Sequence, residues 1–274
     1  MCGSRCRTWF GRSAFRPHRA RHCGFEDWKK KDCPVTEDRI VYAIGDIHGM
    51  AGLLRNLLER IEAHAIQRQA VPQLVFLGDL VDRGHENVAV LDTVCDCLDR
   101  YEGSRLILGN HDEYFLKFLD GTLDAESRGN WHTYGGLETL RSYGVDPDDD
   151  EKTAAARVRE RYPHHYRLLL EAVPCVDLDR FFLVHAGVRP GVPLNAQAPQ
   201  DLRWIREPFL SSEASFGKTV VHGHTITKSG RPEVFPNRVA IDTGAYASGH
   251  LTAAVLPSPT AEAAADRDIA FLST

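Results

Sequence analysis

The sequence predicts an α/β fold: a sandwich of two mixed β-sheets flanked by α-helices. Two patterns carry that reading. Apolar strands alternate with apolar residues at helical spacing three times between Ile40 and Phe118, and short apolar runs at strand spacing fill the chain from Cys175 onward. With 274 residues, 43% of them hydrophobic and 26% charged, the chain is long and apolar enough to bury one large core.

Residues 1 to 36 lack a clean period. They mix Arg, Gly, Pro and Cys, and the first 25 hold six arginines and no acid, so they read as a flexible basic arm ahead of the body. Arginine without acid also resembles a mitochondrial transit peptide, whereas the apolar core of a secretory signal is missing. Cys2, Cys6, His18 and His22 approximate the spacing of a two-Cys, two-His zinc site, but Arg16 stands where such a site expects an apolar residue. The whole chain carries a formal charge of −5 despite this basic arm, so the body is acidic and unsuited to a broad nucleic-acid surface. No apolar run approaches the ~20 residues that span a bilayer, and no membrane partner is expected. Seven cysteines, some in the arm and the others at Cys95, Cys97 and Cys175, do not form the dense framework of a small secreted domain and point to a reducing cytoplasm.

The body, residues 37 to 274, reads as one domain. Strand Ile40 to Ile44 runs into Gly45 and then a helix marked by Leu53, Leu54, Leu57, Leu58 and Ile61. Strand Leu74 to Leu77 precedes Val88, Val90, Leu91 and Val94, and strand Leu106 to Leu108 precedes Tyr114, Phe115 and Phe118. Serial βα units imply a largely parallel sheet covered by helices. Residues 120 to 172 form a charged helical insertion, with a long helix from Lys152 to Ala172 interrupted near Pro163, and are expected to make one wall of a cleft. Within it Trp131, Tyr134, Gly135 and Gly136 either shape that wall or, for the aromatics, pack the core. Five further runs, Cys175 to Asp179, Arg180 to His185, Thr219 to His222, Arg238 to Ile241 and Leu251 to Leu256, are spaced like strands of a second sheet. A last strand is expected over Ile269 to Leu272, after an exposed Pro- and Ala-rich loop from Pro257 to Asp266.

Polar motifs punctuate these strands. Gly45-Asp46-Ile47-His48-Gly49 follows the first, Gly78-Asp79-Leu80-Val81-Asp82-Arg83-Gly84 the second and Gly109-Asn110-His111-Asp112 the third. Their side chains project at carboxyl strand ends, where open α/β sheets bind ligands. Any one motif also suits an ordinary turn, because Asp and Gly are turn formers. A solvated loop, however, has no reason to repeat Gly-Asp at two successive strand ends. His185-Ala186-Gly187 and His222-Gly223-His224-Thr225 close two later strands in the same manner. A lone histidine there is usually structural, but five motifs in register favour metal ligation and acid–base chemistry.

In this order the motifs resemble the phosphoprotein phosphatase family of calcineurin-like metallophosphoesterases, especially its compact bacterial members, from Ile40 to Leu256. The resemblance implies two divalent ions, Mn²⁺ first with Fe²⁺ or Zn²⁺ as alternatives. It puts Asp46, His48 and Asp79 on one ion, and Asp79, Asn110, His185 and His224 on the other. Mixed carboxylate, amide and imidazole donors suit such ions better than a thiolate-loving metal. It also implies in-line attack on a phosphomonoester by a water that the ions activate. His111 would protonate the leaving group, Asp82 would orient His111, and Arg83 and Arg206 would grip the phosphate. For Arg206 a surface salt bridge is the alternative, and Arg203 is the less favoured second arginine. His222 reads as support, and Tyr246 either edges the site or packs a loop. Asp112 stands where eukaryotic members carry Glu, which puts the usual pairing behind the ligands in doubt.

The substrate expected from this resemblance is a phosphorylated protein or a small phosphoester, and the activity that of a serine/threonine protein phosphatase. Asp82 gives the second motif its protein-phosphatase form. Symmetrical dinucleoside tetraphosphatases, which often share Gly-Asn-His-Asp but tend to replace that Asp, are the alternative. A catalytically silent phosphate-binding scaffold is a remote third, and the intact residue set speaks against it.

Overall fold

The computed structural model describes residues 39–146, 148–257 and 269–274. The expectations for the N-terminal arm, and for the loop beyond Pro257, lie outside the described residues.

β1 (Arg39–Ile44), β2 (Val71–Phe76) and β3 (Arg105–Leu106) are parallel neighbours, linked by α1 (Ala51–Gln67) and α2 (Asn87–Arg100) and followed by α3 (Asn110–Asp120). Successive strand side chains point to opposite faces. Tyr42, Ile44, Leu74, Phe76 and Leu106 therefore join Leu54, Leu57, Val90 and Leu91 of the helices in one core. Val41, Ala43, Val75, Leu77 and Ile107 form another with Phe181, Leu183, Val221 and Val239 of the second sheet. Burial on both faces explains why these strands read as continuous apolar runs instead of alternating ones.

The second sheet has the order β4 (Cys175–Asp177), β5 (Phe181–Val184), β6 (Thr219–His222), β8 (Arg238–Ala240), β7 (Glu233–Val234). Its central strands β5, β6 and β8 are parallel, and β4 and β7 flank them antiparallel. The sequence reading does not include β7, whose two residues carry no periodic signal. It also puts Leu251 to Leu256 in the second sheet, which is incorrect. That segment is β9 (Thr252–Leu256), antiparallel to β1 in the first sheet, with β10 (Ala270–Ser273) on its outer side. Chain spacing marks a strand without naming its neighbour. Here the neighbour follows from burial on both faces: Ala253 and Val255 enter the helix-side core while Ala254 and Leu256 enter the core between the sheets.

The insertion comprises α4 (Ala125–Trp131), a wide turn His132–Gly136, α5 (Leu137–Ser142), α6 (Glu151–Arg161) and α7 (Pro163–Leu170). Pro163 separates the last two as expected, since it lacks the amide hydrogen needed inside a helix but suits the first helical position. Phe115 and Phe118 of α3 fasten the insertion to the body, with ring centroids 5.0 Å from Tyr143 and 5.5 Å from Trp131 respectively. Burying each such ring contributes ~1.5–3 kcal/mol. α8 (Pro199–Trp204) and the short α9 (Ala245–Ser248) complete the described α-helices. Among the described residues no helix is long and apolar enough to cross a membrane.

Candidate active site

The loops after β1, β2, β3, β5 and β6 meet at one end of the sandwich. His224 N donates to Asp46 Oδ2 at 2.9 Å, His111 N donates to Asp79 Oδ1 at 3.0 Å, and His48 N donates to the Asp79 carbonyl at 2.9 Å. Six non-glycine residues among those described have positive φ, and five of them are His48, Asp79, Asp82, Arg83 and His224. Each such conformation costs ~1–3 kcal/mol and persists only where its surroundings enforce it. Backbone strain is thus concentrated on the expected site residues. Two glycines make the crowding possible: a Cβ on Gly109 would overlap Asp79 Oδ1, and one on Gly223 would overlap Asp46 Oδ1.

The donor atoms fall into two groups that share Asp79. His48, Asp79 and His111 form one, and Asp79, His185 and His224 the other, with donor atoms within 4.8 Å of one another in each. Asn110 Oδ1 lies 2.9 Å from His185 Nε2, which adds it to the second group. Two of these imidazoles are oriented from behind, His48 Nδ1 by the Val81 carbonyl at 2.8 Å and His185 Nδ1 by the Leu77 carbonyl at 2.9 Å, as metal-binding imidazoles commonly are. Burial pushes His48 well below its ordinary pKa, lowers His185, and takes His224 down to about 2, so all three are neutral and able to ligate.

Divalent ions fit this arrangement. Asp46 Oδ1 and His224 Nε2 are buried without a hydrogen-bond partner, a costly state unless a ligand meets them. Burial, then the charges of Asp242 and Asp79, drives the Asp46 carboxyl well above the usual range. Asp242 itself is pushed up to about 6, chiefly by burial. Packed carboxylates of this kind call for cations, and the oxygen and imidazole donors suit the Mn²⁺, Fe²⁺ and Zn²⁺ class.

His111 behaves differently from the other three imidazoles. Its Nδ1 is 2.6 Å from Asp82 Oδ2. Burial alone would lower its pKa, but the Asp79 charge and the Asp82 hydrogen bond outweigh burial and raise it. Asp82 is in turn held by the insertion: Trp131 Nε1 donates to Oδ2 at 2.8 Å, Thr139 Oγ1 donates to Oδ1 at 2.6 Å, and Asp82 N donates to Thr139 Oγ1 at 2.9 Å. Trp131 is fully buried, so it packs the core and reaches the site through its one polar atom. Arg83 N donates to the Gly135 carbonyl at 3.3 Å, and its guanidinium lies 3.3 Å from His111 Nε2.

The remaining expected residues sort clearly. Arg206 is exposed at the rim, where its charge adds to burial in lowering His185 and His224. Arg203 is turned to Glu113, with a 3.1 Å ion pair. Tyr246 edges the site, its ring 4.5 Å from the Arg83 guanidinium and 5.5 Å from the His48 ring. His222 is buried against Phe209, with ring centroids 5.0 Å apart. Asp112 accepts from Asp79 N at 2.8 Å, Leu80 N at 2.9 Å and Gly109 N at 3.1 Å, so the shorter carboxylate ties the second and third motif loops together. Two contributions are absent from the sequence reading. Asp242 follows β8 much as Asp46 follows β1, a signal concealed by the turn-like Thr243-Gly244 after it; Thr139 has no local signal at all.

A model of the calcineurin-like phosphoesterase family matches residues 40–251. An asymmetrical bis(5'-nucleosyl)-tetraphosphatase PrpE of Geobacillus thermodenitrificans is 26% identical over 241 residues, 79% of this chain and 90% of its own length. A symmetrical bis(5'-nucleosyl)-tetraphosphatase of Janthinobacterium is 45% identical over 80 residues, 29% of this chain and 27% of its own. Among solved structures, one provisionally described as a diadenosine tetraphosphatase has a TM-score of 0.58 and 20% identity, covering 87% of this chain and 95% of its own. A serine/threonine phosphatase from Saccharomyces cerevisiae has a TM-score of 0.53 and 14% identity, covering 87% and 80%. At these identities the two structures establish likeness of fold. With the family match spanning the loops that carry all five motifs, the chain belongs to the calcineurin-like phosphoesterases and is a hydrolase acting on phosphoester bonds.

Proposed function

We propose that the chain hydrolyses dinucleoside polyphosphates, cleaving a dinucleoside tetraphosphate asymmetrically, with two divalent ions, Mn²⁺ foremost, in the reducing cytoplasm. The observation that carries the chemistry is Asp79, shared by two histidine groups with the His111–Asp82 pair alongside. The substrate class is supported by the relatives: two named asymmetrical tetraphosphatases align over 90% and 89% of their own lengths, whereas two named symmetrical ones align over 27% and 44%.

In this reading Asp46, His48 and Asp79 hold one ion and Asp79, Asn110, His185 and His224 the other. When bound, the ions neutralise charge on the phosphoryl oxygens and lower the pKa of the attacking water. Arg83 and Arg206 grip the non-bridging phosphate oxygens. Guanidinium nitrogens only donate, so Arg83 beside His111 Nε2 keeps the Nδ1 proton facing Asp82. A phosphate that draws Arg83 away frees Nε2 to carry a proton, which His111 delivers to the leaving oxygen. Asp82, held by Trp131 and Thr139, keeps the imidazole aligned and stabilises its charged form.

A second reading, serine/threonine protein phosphatase activity, is favoured by one observation, the pairing of Asp82 with His111 at 2.6 Å in a motif of protein-phosphatase form. A substrate panel at equal metal loading tests both readings: diadenosine tetraphosphate, a phosphoserine peptide and a phosphotyrosine peptide. The proposal expects the tetraphosphate to be turned over fastest, giving ATP and AMP. Preference for the phosphoserine peptide would replace it with the second reading, and two molecules of ADP would overturn the asymmetry.

A further inference from the structure

Away from the strand ends, Asp92 of α2 meets His164 and His165 in the first turn of α7. Both imidazole Nε2 atoms converge on one oxygen, Asp92 Oδ1, at 3.0 Å from His164 and 2.9 Å from His165. His165 is fixed from behind: its Nδ1 is hydrogen-bonded to the Tyr143 hydroxyl at 2.8 Å, and its ring stacks on Tyr162 with centroids 5.3 Å apart. The His165 side chain is 1% exposed, whereas those of His164 and Asp92 are 48% and 52% exposed. The group is therefore anchored on one side and open to water on the other.

We propose that Asp92, His164 and His165 form a further divalent-metal site of the zinc class, which clamps α7 of the insertion to α2. Two imidazoles and a carboxylate, with water in the remaining position, match the three-ligand sets that zinc accepts. The spacing fits as well. An ion bound tetrahedrally at ~2.0–2.2 Å separates its donor atoms by ~3.3–3.5 Å, so the nitrogens and the carboxylate oxygen need only open by a few tenths of an ångström. The hydrogen bond between His165 Nδ1 and the Tyr143 hydroxyl is the kind of contact that orients a metal-binding imidazole. The three donor atoms lie within 4.8 Å of one another, close enough for one ion to meet them all.

The test counts Zn²⁺ bound per full-length chain, after chelator treatment and back-titration, in wild type, His164→Gln and Asp92→Asn. Both substituted side chains are half exposed, so folding is retained, and the comparison cancels Zn²⁺ held elsewhere on the chain. Each variant is expected to bind one Zn²⁺ fewer than wild type, to lose the accompanying rise in Tm, and to keep its Mn²⁺-dependent phosphatase turnover. An unchanged Zn²⁺ count in both variants overturns the site.

Discussion

The ligand cage and the His111–Asp82 pair lie side by side but are built on opposite terms. In the cage, Asp46 Oδ1 and His224 Nε2 are buried without partners, and the acidic side chains repel one another. Around Asp82, both carboxylate oxygens are occupied by His111, Trp131 and Thr139. One half is complete within the protein, while the other is complete only with cations. The difference divides the four histidines electrostatically: His48, His185 and His224 are driven neutral, and His111 is driven toward its charged form.

Substitutions that strike one half and spare the other sharpen this contrast. The largest effect is expected from Asp79→Asn, which removes the carboxylate common to both donor groups; metal analysis should show depleted ions and kinetic assays no turnover. His111→Asn should lower kcat by ~10²–10⁴. That loss should be greater for a phosphoserine peptide, whose strongly basic alkoxide depends most on the proton, than for a tetraphosphate, whose less basic leaving phosphate depends on it less. Thr139→Val removes both hydrogen bonds between Thr139 and Asp82, the one to the charged carboxylate alone contributing ~1.5–3 kcal/mol, so kcat should fall by ~10–10²-fold with metal content unchanged.

The smallest effect is expected from Asp242→Asn in metal-free protein, read as Tm against pH. Asp242 is raised from 3.8 to about 6, so its folded form binds more protons than the unfolded chain between those values, and its ionisation destabilises the fold at higher pH. The variant should therefore be the more stable protein above about 6, with its advantage shrinking as pH falls toward 3.8. An advantage that grows on acidification would contradict the repulsion ascribed to the cage.

The cage was legible in the sequence because each of its parts is local, a strand followed by a polar turn, repeated in register. The support of Asp82 was not. Trp131 and Thr139 lie 49 and 57 residues away, and only the folding of the insertion back onto the second motif loop brings them there. β9 failed for a related reason: its apolar residues announce a strand, while its place beside β1 depends on two cores that meet only in the folded molecule. Arg206 falls between these cases, singled out by its flanking residues and set near His185 and His224 only by the turn after α8.

The most direct test concerns His111, which lies near enough to His48 and Asp79 to serve as a ligand itself. Mn²⁺ is titrated into chelator-treated wild type and His111→Asn while bound metal and turnover are followed together. The account predicts two equivalents bound in both proteins, with turnover rising in step only in wild type. Loss of an equivalent in His111→Asn would make His111 a ligand and contradict its assignment as the acid.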